Sequence, residues 1–287
     1  MTSSPAPPSR STAAGQHSEG ISHVIRTGYS TWEYHVYGQQ TGSALSTDLV
    51  WSESAGLGFK GIEISQELKD LPPAGECRKQ LDRYGLQAVS HWVNVTYNDD
   101  CLEDTEQKAR FLQALGGRFL VCEGDKKTPP TDRQSYLALF KQFDKIGQIS
   151  EKFGIKAAFH FHRGCLERDD EVHDLFENTS AVWFCPDIGH AGAMGWDPLP
   201  VLRQYKEKIV HVHIKDALRN PQTGDFDRFC ELGAGNCGLD IKACLDCLTE
   251  IGYDDWAMVE QDHATLSPSC DALESRRHLE KIGYWNP

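Results

Sequence analysis

Eight short apolar runs recur along this chain, and longer stretches of helical pattern lie between them. The runs fall at 25–30 (IRTGYS), 60–65 (KGIEIS), 87–92 (QAVSHW), 118–123 (RFLVCE), 155–161 (IKAAFHF), 181–187 (AVWFCPD), 209–215 (IVHVHIK) and 256–261 (WAMVEQ). The clearest helical patterns are 132–153, 168–177, 197–207, 238–251 and 269–282. "GLGFKGIEI", "KFGIKAAF" and "EIGYDDWAMV" share one grammar, in which a helix stops at Gly and a buried strand follows. Eight β/α units in succession predict a (β/α)8 TIM barrel. A doubly wound open sheet would usually bring a Gly-rich nucleotide loop after its first strand. Here "TWEYHVYG" follows instead. No linker splits off a second domain, so residues 23–287 are expected to form one barrel. Residues 1–22, rich in Ser, Ala, Pro and Gly, are expected to be a disordered tail.

Bulk properties exclude several partners. The net charge is −13 with no basic run, which argues against nucleic acid. No apolar run reaches the roughly 18–20 residues of a membrane span. The N-terminus lacks the apolar core of a signal peptide. The ten cysteines are read as reduced thiols of a cytoplasmic protein. Cys244-x-x-Cys247 resembles half a zinc site, but nothing answers it, and two thiols on the buried side of a helix is the better reading.

Strand ends carry the chemistry. Alternate strand residues share a face. In "IVHVHIKD" that sets Val210, Val212 and Ile214 on the oily face and His211, His213 and Lys215 on the other. In a barrel the second face points inward, and its C-terminal end reaches the mouth. Strand five offers His160 and His162, strand six Asp187 with His190 beyond it, and strand eight Glu260. Strands two and four offer Glu63 and Glu123. A lone buried His is usually a satisfied core residue, and a lone Asp after a strand usually caps a helix. Applied to six strand ends at once, that reading would cost several kcal/mol per unpartnered group. A shared divalent cation resolves the cost, and imidazoles with carboxylates suit Mn, Co, Fe, Zn or Mg.

Taken together, "PDIGHAGAMGWDPLPVLRQY", "IVHVHIKDA", "ELGAGNCGLD" and "GYDDWAMVEQD" resemble the xylose isomerase-like TIM barrels of the sugar phosphate isomerase/epimerase superfamily. The inosose dehydratase branch is the most similar. The resemblance implies metal ligands at His160, Asp187, His213 and Glu260, with His190 on substrate hydroxyls. It implies Mn, Co or Mg at the centre, with Zn or Fe as alternatives, and a homodimer or homotetramer. Sugar epimerases of this kind place a Glu on strand five, and a pair of carboxylates shuttles the proton across the substrate. His160 breaks that pairing and favours a lyase, since elimination needs one base and one acid.

The expected chemistry is proton abstraction next to a carbonyl, on a polyhydroxylated keto-cyclitol or keto-sugar, followed by loss of water or another β leaving group. The metal would act as Lewis acid, and Lys215 would add positive charge near the same oxygen. The base is left open among Glu260, Glu123 and His162. Trp92, Glu63, His190 and Arg163 are assigned to substrate. Tyr29, Trp32, His91 and Trp196 also fall near strand ends. Alternatives are a sugar isomerase or epimerase on the same metal, a DNA-repair endonuclease, and a binding protein that kept the barrel. Acidity argues against the second and the intact strand ends against the third.

Overall fold

In the computed structural model, which describes residues 24–287, all eight predicted strands form and join one parallel sheet. The expected N-terminal tail lies outside the described residues. The strands are β1 (Arg26–Ser30), β2 (Gly61–Ile64), β3 (Gln87–Val95), β4 (Phe119–Gly124), β5 (Lys156–His160), β6 (Val182–Cys185) and β7 (Val212–Ile214). A short antiparallel hairpin follows, β8 (Asp216–Arg219) with β9 (Phe226–Cys230), and then the eighth barrel strand, β10 (Trp256–Val259). The helices are α1 (Trp32–Thr41), α2 (Thr47–Gly56), α3 (Ala74–Tyr84), α4 (Asp100–Ala114) and α5 (Arg133–Glu151). They continue with α6 (Asp169–Glu177), α7 (Ile188–Met194), α8 (Pro198–Gln204), α9 (Ile241–Glu250) and α10 (Pro268–Ile282).

The sheet runs β6-β5-β4-β3-β2-β1-β10-β7. Two isolated parallel bridges, Phe184 to Ile209 and Asp187 to His213, join its ends and close the barrel. Two cores result. Outward-facing strand residues such as Ile62, Phe159, Phe184, Val212 and Ile214 pack with helix residues such as Leu112, Phe143, Leu245 and Leu248. Cys244 and Cys247 of α9 point into this outer core. The barrel interior is filled by Val89, Phe119, Val121, Ala158, Cys185, Val210, Trp256 and Met258. Trp256 fits because Gly61 faces it, where a Cβ would lie 2.6 Å from the ring.

Two strand-seven expectations change. Val210 joins the interior cluster rather than the outer face, because the regular ladder begins only at Val212. His211 does not reach the mouth. It lies two residues upstream of His213, about 6–7 Å deeper along a strand. There it is fully buried and stacks on Phe119 at 5.1 Å.

Candidate functional site

The C-terminal ends of β5, β6, β7 and β10 bring His160, Asp187, His213 and Glu260 together. One ligand atom from each lies within 4.8 Å of all the others. Asp187 sits at the N-cap of α7 and serves two ends at once. Its Oδ1 accepts from the His190 amide at 2.9 Å, while its Oδ2 has no hydrogen-bond partner. His213 Nδ1 and Glu260 Oε2 are likewise buried without hydrogen-bond partners, 2.6 Å from one another. Asp187 Oδ2 lies 3.9 Å from both His160 Nε2 and His213 Nδ1. Buried polar atoms are normally paired, so converging buried acceptors without hydrogen-bond partners suit a cation site. Imidazole nitrogens with carboxylate oxygens are the donor set expected of such a site.

Charge makes the same point. Asp187, Glu260 and Asp262 surround one buried ammonium, Lys215. Lys215 Nζ is 2.8 Å from Asp262 Oδ1, 3.2 Å from Glu260 Oε2 and 3.4 Å from Asp187 Oδ2. Burial pushes the Asp187 carboxyl up to about 6, with Lys215 opposing and Glu260 reinforcing the shift. Burial also works against charge on Glu260, but Lys215 and His213 outweigh it and hold its pKa down to about 2. His160 is held well below the usual histidine range by burial, then by His213, His162 and Lys215. A neutral imidazole is the form that binds metal.

Behind this group sits Glu63. The sequence assigns it to substrate; in the fold it is 3% exposed and its oxygens are engaged. Ser30 donates to its Oε1 at 3.0 Å, and Ser90 donates to its Oε2 at 2.7 Å. His213 Nε2 approaches the same Oε2 at 3.0 Å. A register shift between Ile62 and Glu63 sets Glu63 opposite Ser90. Bulges of this kind re-aim side chains beside active sites. Glu63 therefore orients His213, as outer carboxylates do for histidine ligands.

Above the group lies a cavity of about 250 Å³, lined by Trp32, Trp92, Glu123, Lys126, His162 and His263 among others. His162 Nδ1 lies 2.7 Å from the Arg163 carbonyl, so Nδ1 carries the proton and Nε2 is bare. Lys126 Nζ is 3.2 Å from that Nε2 and 3.1 Å from Glu123 Oε2. His190 is not among the residues lining this cavity. It packs 3.8 Å from the His162 ring and borders a neighbouring chamber with Arg163.

A family model described as the xylose isomerase-like TIM barrel matches residues 51–282. The chain belongs to that family. Among curated relatives, an inosose dehydratase of Clostridium beijerinckii is 28% identical over 267 residues, covering 81% of this chain and 89% of the relative. Among solved structures, the IolI protein with a bound zinc atom superposes with TM-score 0.71 at 18% identity, covering 92% of this chain and all of that one. A D-tagatose 3-epimerase-like protein superposes with TM-score 0.71 at 19% identity, covering 90% of this chain and 97% of that one.

In this xylose isomerase-like barrel the sequence reading misses two groups. Asp262 follows Glu260 by two residues and so shares its face, a signal that alternation offers. Lys126 lies on the loop after β4, where no periodicity points to it. Tyr29 belongs elsewhere, buried against Phe59 and hydrogen-bonded to Glu33. Trp196 packs on Phe161. Among the described residues, no helix is long and apolar enough to cross a membrane.

Proposed function

We propose that this chain is a divalent-metal-dependent lyase that removes water from a keto-cyclitol or keto-sugar. The observation that carries the reading is the set His160, Asp187, His213 and Glu260, whose ligand atoms converge, with Asp187 Oδ2, His213 Nδ1 and Glu260 Oε2 buried without hydrogen-bond partners. Those four residues would hold the ion. When bound, it would supply a Lewis acid for a carbonyl oxygen. The dehydratase assignment takes its support from the curated relatives named inosose dehydratase and from His160 on β5, where a second carboxylate would suit epimerisation.

The chain's own residues supply proton traffic. His162 lines the cavity, and its unprotonated Nε2 accepts from Lys126 Nζ at 3.2 Å. Burial lowers the pKa of His162, Lys126 and Lys215 push the same way, and Glu123 opposes them. His162 is thus neutral at pH 7 and is our choice of base for the C–H next to the carbonyl. Loss of the neighbouring hydroxyl needs one proton, and Lys126 is placed to give it. The proton on His162 then returns to Lys126 across their 3.2 Å contact. The C–H and C–O bonds break, a C=C bond forms, and one water leaves. Lys215 sets the charge around Asp187 and Glu260, and Trp92 and Trp32 offer faces to the ring.

The test is elemental analysis of protein purified without chelator, with Asp187→Ala and His213→Ala beside wild type. It is paired with NMR of 2-keto-myo-inositol and of ketohexoses. About one ion per chain, lost in both variants, with water loss from the ketone, supports the proposal. Epimerised ketohexose without dehydration would turn the reading to an epimerase. A wild type that neither carries nor takes up Mn or Co would end it.

A further inference from the structure

A second chamber, of about 390 Å³, opens beyond His162. It shares His162, Asp262 and His263 with the cavity over the centre. Its outer walls are Arg163, on the loop after β5, and Phe226 and Phe229 of the hairpin strand β9. The inner cavity, about 250 Å³, falls below the roughly 300–1,000 Å³ of pockets that enclose larger ligands. It has room for a single ring. Taken with the outer chamber, the space falls within that range.

Asp227, Arg228 and Asp262 of the outer chamber are held in ion pairs, and Glu167 is held by a backbone amide. Arg228 pairs with Asp227 at 2.8 Å, and Asp262 pairs with Lys215 at 2.8 Å. Glu167 Oε2 accepts from the Gly164 amide at 2.7 Å. Arg163 makes no ion pair among the described residues, and its guanidinium lies 4.2 Å over the Phe226 ring. Stacking on an aromatic face fixes an arginine and leaves its edge donors for a planar anion, which a carboxylate matches with two parallel bonds. Phe226 and Phe229 give the same wall an apolar surface beside that cation.

We infer that the substrate is a ring whose substituent ends in a carboxylate. The ring sits at the centre, and an apolar or aromatic stem passes His162 along Phe229 and Phe226 to Arg163. This rests on the proposed function for the ring's placement and adds the substituent.

Titration calorimetry of the full chain with phenyl β-D-glucoside and 4-carboxyphenyl β-D-glucoside tests it. The carboxylate should bind about tenfold more tightly, as a charged hydrogen-bonded pair implies, and the advantage should shrink with salt. Arg163→Gln should bring the two ligands to one affinity, and Arg163→Lys should keep part of the difference. Equal binding by wild type, or a preference that survives Arg163→Gln, overturns the inference. Asp187→Ala separates the two readings. Both glucosides weakened alike supports the ring's seat at the centre. Neither weakened, with the Arg163 preference intact, overturns that seat and leaves the carboxylate site standing. If neither glucoside binds to protein that dehydrates 2-keto-myo-inositol, the substituent is wrong and the function holds.

Discussion

His213 touches a carboxylate with each ring nitrogen: Nε2 lies 3.0 Å from Glu63 Oε2, and Nδ1 lies 2.6 Å from Glu260 Oε2. The first contact is deep in the barrel and the second is at the candidate centre. Glu63 thereby fixes which nitrogen would face an ion at the proposed centre. Glu63→Gln should lower metal affinity about 10–100-fold, as loss of such an outer carboxylate does elsewhere. A chelator competition titration measures this, and unchanged affinity would remove Glu63 from the role.

Lys215 is the buried cation that offsets Asp187, Glu260 and Asp262. Removing one partner of a buried charged group leaves the others uncompensated, at a cost of about 3–5 kcal/mol. Lys215→Met should therefore lose that much in metal-free urea denaturation. Added Mn should recover a larger share in this variant than in wild type, since an ion can then provide the missing positive charge. Equal gains in both proteins would contradict the account.

A separate prediction concerns acid. His91 is fully buried, and its Nδ1 accepts from the Trp92 amide at 2.8 Å. Burial, helped by Lys108, holds its pKa down to about 3. In the unfolded chain it returns to about 6.5, so below that pH the unfolded state takes the proton first. The contribution of a neutral His91 is complete above about pH 6.5 and falls by up to about 1.4 kcal/mol per pH unit toward pH 3. Urea stability measured from pH 7 to 4 should decline less steeply in His91→Gln than in wild type.

Close approach of α7 to the strand-seven end gives a fourth. A Cβ on Gly189 would lie 2.1 Å from the Lys215 Cβ. Gly189→Ala should destabilise by about 1–3 kcal/mol, the usual range for overpacking. It should also weaken metal binding, because Asp187 is the N-cap of α7. A denaturation midpoint and a metal titration on the same variant check both halves.

Much of this was legible because the barrel repeats a simple rule. The strands announce themselves by apolar runs between glycine-stopped helices, and His160, Asp187, His213 and Glu260 each stand at the end of such a run. What lay beyond reading depends on contacts far apart in sequence. Glu63 is opposite Ser90 only because β2 and β3 slip register between Ile62 and Glu63. The β8–β9 hairpin has an irregular ladder, shifted at Leu218 and Arg219, and short strands whose residues lack clear alternation. Lys126 enters the cavity from a loop, where side-chain direction has no period. Val210 breaks alternation because the strand is regular for only the three residues from Val212 to Ile214.

The barrel's closure has a mechanical consequence. Seven junctions between neighbouring strands are ladders of paired residues, but β6 meets the strand-seven segment only through isolated bridges. Along that seam the amides of Phe184, Val210 and His213 donate to Lys208, Phe184 and Pro186 at 2.8, 3.0 and 3.0 Å. It is the natural line along which the cylinder would unzip, and its upper end is the pair Asp187 and His213. Any occupant gripping both residues would act as a clasp across the gap. Deuterium uptake at those three amides would then record occupancy of the centre, with no turnover required.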